Sequence, residues 1–446
     1  MPPAGGNRAD AGPAAGPPAA RPLSPEDLGI LALENETVAG HACKVIVLRE
    51  EPDLDRLRSS IAGRLHQAPG LCMRLSEIDG DPWWVPDPQL DVRAHVVEAG
   101  PAGPLDEAGF RAAVAGIFEQ HLDRSRPLWR IDVLPRLSGG GSALIWRIHH
   151  ALADGTTAMR MAREVMWDAE PAADQPAGSG TRPQPPRPAA PVARDRFAGL
   201  RAVAREIPQP WLRSPFDGHI DARRAVAFST AGLDELRQVA AAADGATVND
   251  AVLTVVAGGL RRWLETHHGH LGALRVKVPV SLHGSPPRPG DDAAGRGNRD
   301  SFFCLDLPLG SADPLERLAA IRDATRIRKR DHDAQHLDAI TRQLARIPPL
   351  SQLAARALAH PRSFALNVSD VPGPRHPVGV LGIPVSALYS LAEIREDHAL
   401  RVAVISMAGT LSFGLVADPT LLPEVHQLAG YLQAEAEALT ARLPSA

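Results

Sequence analysis

Hydrophobic and polar positions follow two different periods along this chain. Short runs rich in β-branched and apolar residues predict strands over His41–Leu48, Ile131–Leu134, Ala143–Ile148, Arg275–Ser281, Ser301–Leu307 and Phe364–Asp370. Leu400–Met407 and Leu411–Val416, separated by Ala408-Gly409, predict a hairpin. Between these runs the apolar spacing is helical. Leu54, Leu57, Ile61 and Leu65 share one helix face, and Phe110 to Leu122, Thr247 to Leu264, Asp313 to Arg330 and a last segment from about Leu421 also predict helices. Several helix starts carry their own signals. Ser24 precedes Pro25, Thr247 precedes Asp250 at capping-box spacing, and Asp313 precedes Pro314. Strands and helices are mixed in both halves, which predicts an α/β (α+β) protein with mixed sheets flanked by helices.

A chain of 446 residues exceeds one ordinary core, and two lobes are expected. Residues 1–22 have almost nothing to bury and predict a disordered tail. Prolines 171, 176, 183, 185, 186, 188 and 191 mark a linker, assigned to residues 169–222. It divides an N-terminal lobe, 23–168, from a C-terminal lobe, 223–446. The Gly-, Pro- and Asp-rich stretch 284–298 predicts a flexible loop.

Composition narrows the classes. A formal net charge of −4 excludes nucleic-acid binding driven by phosphate neutralisation. Cys43, Cys72 and Cys304 are odd in number and far apart, which fits neither a disulfide framework nor a metal cluster and predicts a reducing, cytoplasmic setting. The longest apolar runs fall short of a membrane span, and residues 1–22 lack the apolar core of a signal peptide. Any membrane or lipid-droplet contact is therefore expected to be peripheral. Gly139-Gly140-Gly141 lacks the Lys-Ser/Thr ending of a phosphate loop and is assigned to a turn. The basic end of the Asp313–Arg330 helix has two readings, a solvated C-terminus and a phosphate contact.

The chemistry concentrates at His149-His150-Ala151-Leu152-Ala153-Asp154-Gly155, where the strand Ala143–Ile148 hands over to a helix opening at Thr156. Consecutive strand side chains point to opposite faces, so only one imidazole can enter a given cavity. A near-neutral imidazole there can take a proton from a hydroxyl or a thiol. Asp154 is placed to brace the turn through backbone N–H groups or an arginine, and Gly155 to allow positive φ. Asn249, at a helix N-terminus, is a candidate oxyanion donor; with Asp250 it is equally a helix cap. The pair Trp83-Trp84 reads as packing or as a substrate wall.

His149-His150 followed by Asp154-Gly155 resembles the His-His-x-x-x-Asp-Gly motif of the CoA-dependent acyltransferase superfamily. Within it, the chain resembles the bacterial wax ester synthase/diacylglycerol acyltransferases from about Leu23 to its end. The resemblance rests on Leu23-Ser24-Pro25, the Pro127-Leu128-Trp129 motif with its lead-in, Val248-Asn249-Asp250, Gly297-Asn298, Ser369-Asp370-Val371-Pro372-Gly373-Pro374 and Phe413 to Asp418. Asp370 stands where the family usually has Asn, which bears on acceptor recognition.

The resemblance implies a two-lobed, chloramphenicol-acetyltransferase-like fold with an active-site tunnel between the lobes. It implies O-acyl transfer from acyl-CoA, as co-substrate, to an alcohol or diacylglycerol, with no metal or other cofactor. His150 would be the general base, His149 structural or tunnel-shaping, and Asp154 would hold the loop through an arginine. Gly155 completes the catalytic set; Asn249, Asp250, Trp129 and Asp370 are the expected substrate-binding residues. Two rivals stand beside this reading: a condensation-type or tailoring acyltransferase fed by a carrier protein, and a non-catalytic lipid-binding homologue.

Overall fold

The computed structural model describes residues 19–168 (except 102), 204–206, 214–281 (except 270, 272 and 273), 300–345 and 360–442 (except 396). The expected tail, most of the 169–222 linker, the 284–298 loop and Gly297-Asn298 lie outside the described residues.

Two six-stranded sheets form the frame. The first runs in the order Gly379–Val380, Ile383–Ala392, His41–Leu48, Ser142–His149, Trp129–Leu134, Val96–Glu98. The second runs Asp300–Asp306, Arg275–Ser281, Leu366–Val371, Leu400–Met407, Thr410–Ala417, Ala225–Gly232. A three-stranded sheet of Arg21–Pro22, Asp81–Pro86 and Met73–Ile78 lies apart from them. Both large sheets mix parallel with antiparallel neighbours, as the intermingled pattern predicts.

The strand carrying the histidines is central, and all eight of its residues are buried. Apolar side chains satisfy most of that burial; Arg147 does so by pairing with Asp132 at 2.8 Å and donating to the Gln120 carbonyl at 2.6 Å. A buried guanidinium is tolerated only with such partners.

The boundary at 169–222 does not separate the sheets. Ile383–Ala392, from the second half of the chain, pairs antiparallel with His41–Leu48 and completes the first sheet. This strand therefore ties the segments expected as separate lobes, 23–168 and 223–446, to each other. Which strands become neighbours depends on long-range burial, which a local pattern does not encode. The crossover strand also packs against the hairpin Leu400–Ala417, so one element touches both sheets.

Polar contacts lock the crossover. Glu393 accepts from Arg224 at 2.8 Å and from the Ala39 N–H at 3.3 Å, while the Arg224 backbone N–H donates to Glu119 at 2.7 Å. Three distant segments therefore meet beside Gly40 and His41. On the far face of the second sheet, Val248–His267 packs against the C-terminal helix Val425–Thr440 over a continuous apolar core. Among the described residues no helix is long and apolar enough to cross a membrane.

Candidate active site

The end of the strand separates the two histidines: His149 is its last residue and His150 the first of the turn. His149 ends its strand and is fully buried, with its own N–H held by the Leu128 carbonyl at 3.0 Å. Its Nδ1 accepts the Ala151 N–H at 3.1 Å, and its Nε2 lies 3.2 Å from Glu34 Oε2. A neutral imidazole has one donor and one acceptor, so the proton belongs on Nε2, donated to Glu34. Burial pushes the Glu34 carboxyl up, but the bonds from His149 and Arg124 outweigh it, and the group ends below its usual range. Arg124 reaches Glu34 at 2.6 Å. His149 is thus clamped at both nitrogens.

The backbone at Gly40 closes on the same ring. Gly40 has φ +70°, and a Cβ there would stand 2.6 Å from His149 Nε2. The left-handed conformation and the close approach both call for glycine. The Gly40 carbonyl then receives the His150 N–H at 3.0 Å, which fixes the backbone of the second histidine.

His150 is half-buried and sits in a different field. Its pKa falls well below 6.5 because burial disfavours the charged ring and the positive charges of Arg401, Arg395 and Lys44 add to the effect. The imidazole is therefore neutral at physiological pH. Lys44, on the adjacent strand, is buried and donates to Ser390 Oγ at 2.7 Å; burial brings its pKa down to about 8.

Asp154 caps the helix Gly155–Val165, its Oδ1 accepting the Thr157 N–H at 2.7 Å. That bond to backbone is one of the two ways in which Asp154 was expected to brace the turn. Gly155 needs a correction: it is the first residue of the helix and does not have positive φ. The missing side chain makes room instead, since a Cβ would come 2.8 Å from Cγ2 of Val371. Val371 ends the strand Leu366–Val371 of the second sheet, so the Val-Pro-Gly-Pro turn rests on the head of the motif helix.

The expected substrate-binding residues separate. Trp129 is core: it is 2% exposed, donates to the Leu71 carbonyl at 2.8 Å and stacks on His95 at 4.4 Å. The Pro-Leu-Trp motif serves the site through the Leu128 carbonyl on His149. Asp250 is buried in a full capping box, accepting from Thr247 N at 2.8 Å and Oγ1 at 2.7 Å, while its other oxygen accepts from Thr325 Oγ1 at 2.7 Å. Those bonds give it a structural position. Asn249 is half-buried in the same first turn. Asp370 opens onto a cavity of about 710 Å³, also lined by Leu233, Arg237, Val248, Pro374 and Arg375. The surrounding protein lifts its carboxyl to about 6. A residue can be accessible in such a cavity and still be poorly hydrated.

Glu34, Gly40, Lys44, Arg395 and Arg401 carry no motif or period that marks them as site residues. Long-range pairing alone brings them to the histidines.

Two family models match the chain: the wax ester synthase/diacylglycerol acyltransferase catalytic domain over residues 23–209, and the C-terminal domain of the same family over residues 296–440. The chain belongs to the wax ester synthase/diacylglycerol acyltransferase family. A putative diacylglycerol O-acyltransferase of Mycobacterium tuberculosis (strain ATCC 25618 / H37Rv) is 29% identical over 94% of this chain and 97% of its own length. The wax ester synthase/diacylglycerol acyltransferase of Marinobacter aquaeolei VT8 shares the fold, with a TM-score of 0.69 and 24% identity over 94% of this chain and 98% of that one. The starter condensation domain of rhizomide synthetase, solved with C8-CoA, also shares the fold; its TM-score is 0.58 and its identity 13%, over 94% of this chain and 95% of that one. This family member is an acyl-CoA-dependent O-acyltransferase.

Proposed function

We propose that this acyltransferase moves a fatty acyl group from CoA to a hydroxyl acceptor, an alcohol or a diacylglycerol, with His150 as general base. The observation that carries this reading is the asymmetry of the pair. His149 is clamped by Ala151, Glu34 and Gly40, whereas His150 is held neutral in a cationic surround. The neutral ring takes the hydroxyl proton as the oxygen attacks the thioester carbonyl. The tetrahedral intermediate then collapses, the C–S bond breaks, and the imidazolium returns its proton to the CoA thiolate. The positive surround makes that imidazolium a strong acid, which favours the second transfer. A base so placed contributes about 10² to 10⁴ in rate.

Asp154 and Gly155 set the position of the motif helix, and Asp370 lies in the cavity assigned here to substrate entry. The names of the relatives support hydroxyl acceptors of this kind. The deciding experiment follows thiol release from palmitoyl-CoA with and without hexadecanol or a diacylglycerol. Acceptor-dependent release that disappears in a folded His150→Ala variant supports the role. Near-normal turnover in that variant refutes it, and release only from an acyl carrier protein would move the enzyme to the condensation-type reading.

A further inference from the structure

A cavity of about 450 Å³ borders the motif, walled by three stretches that lie far apart in the chain. Leu152 comes from the motif turn, two residues after His150, and Met161 from the motif helix Gly155–Val165. Ala68 and Gly70 come from the turns between Leu65 and Cys72, and Met73 from the strand that follows them. The third wall is the N-terminal strand, where Arg21 pairs in register with Trp84.

The walls divide by polarity. Ala68, Met73, Leu152 and Met161 are each at most 6% exposed and make an apolar floor. Arg21, Gln67, Arg160 and Glu164 are more exposed and make a polar rim. An open cavity of this size and lining suits a ligand with an extended apolar part. Gly70 points into the space. A Cβ there would stand 2.9 Å from Met161 Cε, and beyond its chain neighbours no other atom of the described residues lies within 4 Å of it. The missing side chain keeps the cavity open, and the flexible Met161 thioether forms the wall opposite.

The direction in which each substrate approaches the histidine decides which of them such a cavity takes. An acyl acceptor presents its hydroxyl to His150, so it enters hydroxyl first and leaves its chain in the entry. An acyl-CoA enters chain first and leaves its phosphates in the entry. The cavity beside Asp370, at the turn that rests on Gly155, has Arg237 and Arg375 in its wall and suits a charged group. The cavity at Leu152, with its apolar floor, suits a chain.

We propose that the cavity between Gly70, Leu152 and Met161 holds the alkyl chain of a long-chain alcohol acceptor, and that Gly70 and Met161 set the length it takes. This rests on the acyl-transfer reading and narrows its acceptor. Each methylene buried there contributes about fourfold to kcat/KM.

The test measures kcat/KM for primary alcohols from octanol to octadecanol with palmitoyl-CoA, and for acyl-CoAs from octanoyl to stearoyl with dodecanol, in wild type, Gly70→Leu and Met161→Ala. Ratios are taken within each protein, so a general loss of activity cancels. Gly70→Leu fills the cavity and should lower the hexadecanol-to-octanol ratio about tenfold or more, as for two or more methylenes displaced. Met161→Ala opens the wall and should raise the octadecanol-to-dodecanol ratio. The acyl-CoA ratios should stay within about threefold. Unchanged alcohol ratios in both variants would overturn the proposal. A shift as large or larger in the acyl-CoA series would overturn it in favour of the acyl chain or a change in the fold. If wild type transfers to no alcohol, the acyl-transfer reading fails by itself, and photo-crosslinking with a hexadecanol carrying a diazirine in its chain still decides the cavity. Label on residues 68–73 or on Met161 that excess hexadecanol competes away supports it, and any other pattern, or none, overturns it.

Discussion

Gly155→Ala tests the contact that joins the two halves at the motif helix. The added Cβ would lie 2.8 Å from Val371 Cγ2 and 3.6 Å from Cγ1. Val371 is β-branched and stiff at χ1, so it cannot rotate cheaply out of the way. Overpacking of this kind costs about 1–3 kcal/mol. Replacing Gly by Ala in a helix returns up to about 1 kcal/mol, less at a first position. The expected net change is a loss of about 1–2 kcal/mol, with the Val-Pro-Gly-Pro turn displaced from the motif. Val371→Ala removes the clashing Cγ2 methyl, so the double variant should be more stable than the sum of the single changes by about 1 kcal/mol or more. Denaturant unfolding of the four proteins measures that coupling, and thiol release shows whether turnover follows it. Additivity within about 0.5 kcal/mol, with Gly155→Ala as stable as wild type, would refute the claim that glycine is required there for close approach.

Other expectations can be checked with the same assays. Because His150 is depressed, it is neutral and basic above its folded pKa; kcat/KM with hexadecanol should stay flat down to pH 6.5 and fall only well below it, and a limb centred at or above 6.5 would contradict the cationic surround. Asp370→Asn removes the carboxyl that titrates near 6 and separates its effect from that of the imidazole. Asp154→Ala should lose about 0.5–2 kcal/mol through the lost cap and lower activity with it, while Asp154→Asn keeps most of the stability; unchanged melting and turnover in Asp154→Ala would dismiss the bracing role. Glu34→Leu leaves the buried His149 N–H without an acceptor and should cost about 1–3 kcal/mol, measurable as a lower Tm.

The legible part of this protein is local. Each strand and helix read from the period has its counterpart in the structure, because side-chain alternation and capping act over a few residues. Ser24, Thr247 and Asp313 cap the helices they were assigned. The His-His-x-x-x-Asp-Gly junction falls where the strand ends and the helix begins. The crossover strand Ile383–Ala392 was not legible, since its proline and two serines blur the alternation and its partner His41–Leu48 lies more than three hundred residues away. Gly155 was read by conformation when its position is set by a neighbour, Val371, that only the second sheet supplies. Trp129 is buried in the core, and Asp250 makes the helix cap that was one of its two expected roles.

Sequence alone determined the elements, the family and the pair of imidazoles at the junction of strand and turn. These follow from backbone geometry and nearby side chains. Tertiary structure alone decided which imidazole is clamped and which is held neutral, because burial and electrostatic fields sum over groups far apart in the chain. Glu34, Gly40 and Lys44 come from the first part of the chain and Arg395 and Arg401 from the last, and their shared field exists only once the two sheets have met.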